Sequence, residues 1–285
     1  MLETWPHDPL IVYELALSMD RARVGPDELI SFVEGELKVM KKPNAELYSM
    51  LGSLWDAKRE LAKGEAWFRK GLAAFPKSVE LRFNLGVNLA MQHKTADAEK
   101  ELLRCAEAAP HRPGVWRTLS IICAEDNRLT DAVLTKMRFV LLEPRSDRGQ
   151  AAARALEELL RRSVTFEGKD VVLRVSKPDD TPLALLVAAA ARDGGAQDSE
   201  DLVEALRGVV EVAGSDAKHP LRKAAASLFF DAKKAGVLDG ALWELRRAAG
   251  DPAADGWYSK HRKEGDAFDA FIRPHREKAR GASPP

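Results

Sequence analysis

The sequence predicts an all-α protein built from stacked helical hairpins, and three observations carry that expectation. Prolines stand at 76, 110 and 144, each 34 residues after the last. A Leu-Gly pair recurs at the same interval, as Leu51-Gly52 and Leu85-Gly86, inside segments that otherwise read as helix. Upstream and downstream of these blocks, apolar residues keep returning with helical periodicity, which marks amphipathic helices. A fixed period of this length points to a repeat architecture, in which each unit buries its faces against its neighbours.

The bulk numbers agree. The 285 residues are 45% hydrophobic and 31% charged, with 44 Lys+Arg against 44 Asp+Glu. A protein that neutralises a phosphate backbone would be basic, so this balance disfavours nucleic acid as the main partner. Two cysteines make no disulfide framework. The N-terminal segment carries Glu3, Asp8 and Glu14 and no basic stretch, so it does not read as a secretory signal. The longest apolar run, 182–191, is too short to span a bilayer, so no membrane insertion is expected. A cytoplasmic location fits these features.

Laid out in register, the blocks are 45–78, 79–112 and 113–146. Their fourth positions hold Tyr48, Arg82 and Trp116, and their seventh Leu51, Leu85 and Leu119. The eighth are Gly52, Gly86 and Ser120, and the eleventh Trp55, Leu89 and Cys123. The twentieth are small (Gly64, Ala98, Ala132), and the twenty-fourth are Phe68, Leu102 and Lys136. Small residues let two antiparallel helices approach, at a cost in helix propensity of about 1 kcal/mol per glycine. Ser78 is placed to cap the first helix of block two, and Thr95 and Thr130 to cap second helices.

This pattern resembles the tetratricopeptide repeat (TPR), over about a third of the chain. Arg82, Ser120 and Lys136 depart from it. The resemblance implies a TPR-type right-handed helical superhelix, an α-solenoid, whose first helices line a concave groove for a peptide or partner helix. The groove positions it implies are Glu46, Ser49, Met50, Ser53 and Asp56 in block one, and Glu80, Phe83, Asn84 and Val87 in block two. Block three adds Arg117, Ile121 and Glu125. Four acids, one base and an apolar floor suit a neutral-to-basic segment with apolar anchors. Some relatives clamp the acidic C-terminal motif of chaperones, but the matching positions here are Ser49, Ser53, Asn84, Gly114 and Thr118. Without the cations such a motif would be poorly held, so it is not an expected partner.

Around the repeats, residues 1–43 read as a degenerate or capping helix pair, and 147–177 as a capping helix and connector. Within the connector, 164–175 is rich in β-branched residues and leaves a short β-hairpin and a helix both open. Residues 178–276 read as a C-terminal helical region and 277–285 as a disordered tail. Helices are expected at about 181–192, 200–213, 220–235, 237–249 and 253–272.

The search for chemistry returns no catalytic, cofactor or metal site. There is no phosphate-cradling glycine loop, no H-E-x-x-H, no C-x-x-C and no G-x-S-x-G. Cys105 and Cys123 sit at repeat packing positions. Asp255, His261, Asp266, Asp269 and His275 cluster in sequence, but their spacing does not place them on one helix face. The expected function is a non-enzymatic protein-interaction scaffold. The alternatives are a TPR-containing regulator or enzyme whose C-terminal half holds the activity, and a nucleic-acid adaptor.

Overall fold

The computed structural model describes residues 7–162, 164–167, 170–173, 199–215 and 219–281. These residues form fourteen helices and one two-stranded antiparallel sheet. They divide into two compact units, 1–108 and 109–285. The expected helix at about 181–192 lies outside the described residues.

The first unit holds three hairpins: α1 (Pro9–Arg21) with α2 (Pro26–Val39), α3 (Ala45–Ala57) with α4 (Leu61–Ala74), and α5 (Val79–Met91) with α6 (Thr95–Ala108). Helix starts follow local chemistry. Asp8 accepts from the backbone N–H of Leu10 and Ile11, at 2.9 and 3.2 Å, ahead of Pro9 at the first helical position. Asn44 caps α3 through Leu47 N–H, and Ser78 caps α5 through Leu81 N–H as the sequence suggests. Thr95 instead opens α6 as its first residue. Val12, Ala16, Leu29, Ile30 and Val33 of the first hairpin share one apolar cluster with Leu47 and Leu51 of α3.

The Leu-Gly pairs do what close packing requires. A Cβ added to Gly52 would lie 2.5 Å from Phe68 Cδ1 and Cζ, and one on Gly86 would lie 2.7 Å from Leu102 Cγ. In both hairpins the eighth position is therefore covered by the twenty-fourth. The helices also approach at the small pair: a Cβ on Gly64 would come within 3.0 Å of Gly52 O, and one on Gly86 within 3.6 Å of Ala98 O.

The period is written into the backbone as well. Arg59, His93 and Asn127 stand 34 residues apart, each in the left-handed region with φ of 63°, 56° and 54°. In each hairpin turn this residue's N–H donates three residues back, and the next N–H donates five back, as in Arg59 to Asp56 O and Glu60 to Trp55 O. Arg23 makes the same turn between α1 and α2, and Gly236 makes it in the second unit at φ 73°. The first hairpin thus shares the turn of the repeats although it lacks their sequence motif.

The second unit contains α7 (Pro113–Glu125), α8 (Leu129–Leu142) and α9 (Asp147–Arg162). The strands β1 (Val164–Glu167) and β2 (Asp170–Leu173) follow, paired from Val164 with Leu173 to Glu167 with Asp170. The described residues of the segment left open in the sequence thus pair as two antiparallel strands. Next come α10 (Ser199–Ser215), α11 (Pro220–Lys234), α12 (Leu238–Ala249), α13 (Pro252–Lys260) and α14 (Arg262–Gly281).

Helix α8 is the axis of this unit, with α7, α9, α10, α11, α12 and α14 packed around it. Of its 14 residues only Lys136 is not buried. Several of its buried polar groups find partners within the unit. Asp131 accepts from Arg222 Nε at 2.7 Å, and Arg138 donates to Ala224 O and Ser227 Oγ, both at 2.7 Å. The Arg138 guanidinium lies over the Trp116 ring at 4.3 Å, and burial pulls its pKa down to about 10. Thr130 is the second residue of α8 and is buried, so it does not cap; Arg128 occupies that position.

Two expectations about the C-terminal segment change. The helix expected over 253–272 is two helices that break at His261. The second continues through Pro274 to Gly281, so 277–281 is helical rather than part of a tail. Buried Phe268 and Ile272 before the proline and buried Ala279 after it anchor both sides, and packing outweighs the lost N–H.

The α11–α12 hairpin also carries traces of the repeat. Counted from its Gly236 turn, the seventh, twentieth, twenty-fourth and twenty-seventh positions are Leu228, Ala241, Leu245 and Ala248, all buried.

Candidate functional site

In the first unit, α3 and α5 set their groove positions side by side. Asn84 on α5 donates from Nδ2 to Ser49 Oγ on α3 at 2.8 Å, which ties the two helices across that face. Met50, Phe83 and Val87 are half-buried, so each keeps part of an apolar surface open to solvent. Glu46, Ser53 and Glu80 are exposed. Met91 extends the apolar side at the end of α5, with 38% of its surface accessible.

Sequence reasoning missed a member contributed by α1. Tyr13 packs half-buried against the core cluster. Its phenol is raised above the usual tyrosine value, first by burial and then by the carboxylates of Glu46, Glu14 and Glu80. Two of those carboxylates belong to α3 and α5, the helices that the Ser49–Asn84 hydrogen bond ties together. Tyr13 lies outside the 34-residue blocks, so no repeat register could have marked it.

Asp56 does not belong to the open face. Its carboxylate accepts from Asn88 Nδ2 at 2.5 Å and sits beside Gly64, at the junction of α3, α4 and α5. Burial raises its pKa to about 6, with the Asn88 hydrogen bond pulling the other way. Asn88 is fully buried and also donates to Leu61 O at 2.9 Å. Gln92 donates to Asn88 Oδ1 and to Glu65 Oε2, at 2.7 and 3.0 Å. Burial works against the Glu65 carboxylate, yet hydrogen bonds from Lys94, Arg69 and Gln92 outweigh it and hold the pKa down to about 2. Asp56 therefore closes a polar seam between hairpins, and the expected groove acids of these two helices reduce to Glu46 and Glu80.

Arg117, Ile121 and Glu125 lie on α7 in the second unit, four residues apart and all exposed. Ile121 leaves 41% of its surface accessible. Lys136, on the neighbouring α8, is lowered by burial and then by the charge of Arg117.

No convergent reactive group accompanies these surfaces. Among the described residues, no cluster of three or more His, Cys, Asp or Glu is placed to hold a metal ion. Cys105 and Cys123 are buried free thiols. The C-terminal sequence cluster disperses: Asp255 pairs with Arg247 at 2.9 Å, His261 stacks on Trp257, and His275 faces His111 with Nδ1 atoms 3.2 Å apart. No helix among the described residues is long and apolar enough to cross a membrane.

No protein-family model matches the chain, and neither does any curated protein. Among solved structures, the chain is similar to YrrB, described as a TPR protein with an unusual peptide-binding site. The two share 15% identity with a TM-score of 0.40, over 79% of this chain and 95% of that one. The architecture rests on the hairpins themselves: their 34-residue period, their shared turn and their glycine contacts.

Proposed function

We propose that this chain is a non-enzymatic interaction scaffold of the tetratricopeptide-repeat kind. In this reading the blocks 45–78, 79–112 and 113–146 are its repeats, and the α1–α2 hairpin is their N-terminal cap. A peptide or helix of a partner protein lies along the face formed by α1, α3 and α5. The observation that carries the reading is the half-open apolar row of Met50, Phe83 and Val87, set beside the bonded Ser49–Asn84 pair and the exposed Glu46 and Glu80. Apolar side chains of a partner would seat on the row, and its backbone or amides would meet the polar pair. Tyr13 adds an aromatic edge among carboxylates, which suits a lysine or arginine on the bound segment. The occupant is therefore neutral to basic, with one or two apolar anchors. An acidic chaperone C-terminus is excluded from this reading, since Ser49, Gly114 and Thr118 stand where its cations would be needed. On α7, Arg117, Ile121 and Glu125 supply a further exposed stripe of mixed charge around one apolar residue.

The test is a peptide array pairing lysine or arginine with leucine or phenylalanine, probed with the full chain and with Phe83→Ala. Removing a central aromatic anchor should weaken each genuine hit by about tenfold or more. Hits that bind both proteins equally would remove the α3–α5 face from the account.

A further inference from the structure

A cleft of about 760 Å3 opens in the second unit, between the α8–α9 connection and the C-terminal half of α14. That volume is within the range of ligand pockets. Its floor is apolar: Leu142, Ile272 and Ala279 line it and are buried. Its rim is rich in guanidinium groups. Arg145 and Arg148 come from the connection and the first turn of α9, and Arg273, Arg276 and Arg280 come from α14. The three on α14 are spaced by three and four residues, so they share one helix face and span about 10 Å along it. Ser146 accepts from Gly149 N–H at 3.0 Å and caps α9, whose positive end forms part of the wall.

Two of these arginines are engaged inside the protein. Arg148 Nε donates to Glu143 at 2.6 Å, while Arg276 donates to Leu141 O at 3.0 Å and to Glu244 at 2.8 Å. Arg145, Arg273 and Arg280 are exposed and, among the described residues, pair with no carboxylate. Asp269 and Glu277 share the rim, one turn to either side of Arg273. They lower the total charge without closing any of the three guanidinium forks.

We propose that this cleft binds a short acidic peptide segment, with carboxylates at the arginine rim and an apolar side chain on the floor. The rim is spread over a length that a single oxyanion would not fill. In an extended peptide, alternate side chains stand about 6.5–7 Å apart, so two or three carboxylates match the stripe. A guanidinium fork takes a carboxylate in paired hydrogen bonds. The apolar floor of Leu142, Ile272 and Ala279 suits an apolar side chain of a peptide and offers a phosphodiester strand nothing. This site prefers the opposite charge from the α3–α5 face and stands independently of it.

Fluorescence anisotropy on the full chain tests the proposal, using labelled Ac-ELEELE-NH2 at low ionic strength. The neutral Ac-QLQQLQ-NH2 and hexathymidylate serve as comparisons. The glutamate peptide should bind best and weaken with added salt. Arg273→Glu/Arg280→Glu should weaken it by about tenfold or more, through two lost attractions and two new repulsions. Both side chains are exposed, and an unchanged thermal melt will confirm that the fold is intact. Lys263→Glu, elsewhere on α14, and Phe83→Ala should leave binding as it was. Absence of binding, equal binding of the glutamine peptide, tighter binding of the oligonucleotide, or indifference to the double reversal would each overturn the proposal.

Discussion

Gly86 offers a direct test of how the repeats pack. Replacing it with alanine should gain about 1 kcal/mol of helix propensity in the middle of α5. The added Cβ, however, would lie 2.7 Å from Leu102 Cγ and 2.8 Å from its Cδ2. Leu102 is fully buried, so it has no open space into which to turn. Overpacking of this kind costs about 1–3 kcal/mol. Gly86→Ala should therefore be neutral to destabilising by about 2 kcal/mol, the difference of those two terms. Gly35 in α2 is the internal control, because it is exposed and a Cβ there meets nothing within 4 Å. Gly35→Ala should stabilise by up to about 1 kcal/mol. The cycle is completed with Leu102→Ala, which alone should cost about 2–5 kcal/mol. In that background Gly86→Ala should become stabilising, giving a coupling of roughly 1–3 kcal/mol between the two sites. Urea unfolding midpoints at constant m-value provide the readout. If Gly86→Ala stabilises the parent chain as much as Gly35→Ala does, the close-approach argument for the Leu-Gly pairs is wrong.

Two further outcomes follow from the geometry. His93 holds φ 56° in an exposed turn, so His93→Gly should relieve left-handed strain and stabilise the chain by about 0.5–1 kcal/mol in the same assay; destabilisation would mean that the side chain matters more than the backbone. The two units should also answer acid in opposite directions. In the second unit, burial and then the charges of His275, Lys278 and Arg138 lower His111 to about 4, and burial with Arg138 and Lys278 lowers His275 against the pull of Asp231. The unfolded chain then takes up these protons first, so stability is complete above pH 6.5 and is lost as pH falls towards 4. In the first unit Asp56 is raised from 3.8 to about 6, so the folded form takes its proton first and gains stability over that window. Glu65 contributes stability above pH 4.5 that disappears only as pH falls towards 2. Hydrogen exchange at pH 7 and pH 5 should show protection falling in α8 and α14 relative to α3–α5; a uniform response would contradict the assignment.

Much of the architecture was legible because the repeat constrains several residue types at once. Gly52 with Phe68, and Gly86 with Leu102, keep one spacing, and Ser78 caps where the register puts it. The left-handed turn residues were not legible, because arginine, histidine and asparagine fill positions where glycine would have been a signal. Asp56 passed for a groove acid because its partner Asn88 is 32 residues away, on the next hairpin. Tyr13 meets the charges of Glu46 and Glu80 through tertiary packing alone. The buried polar residues of α8 were not legible either, because Asp131 and Arg138 have partners 86 to 91 residues later. The arginine cleft joins residues 145–148 to 273–280, and no local period could bring those together.

The enclosure of α8 bears on how this chain can be dissected. A fragment that stops at the third proline, or anywhere before α14, would strip a nearly all-buried helix of its wrapping and present a greasy rod to water. The division between the two compact units falls after Ala108, ahead of the α7–α8 hairpin, and a cut there leaves α8 with all the helices packed around it.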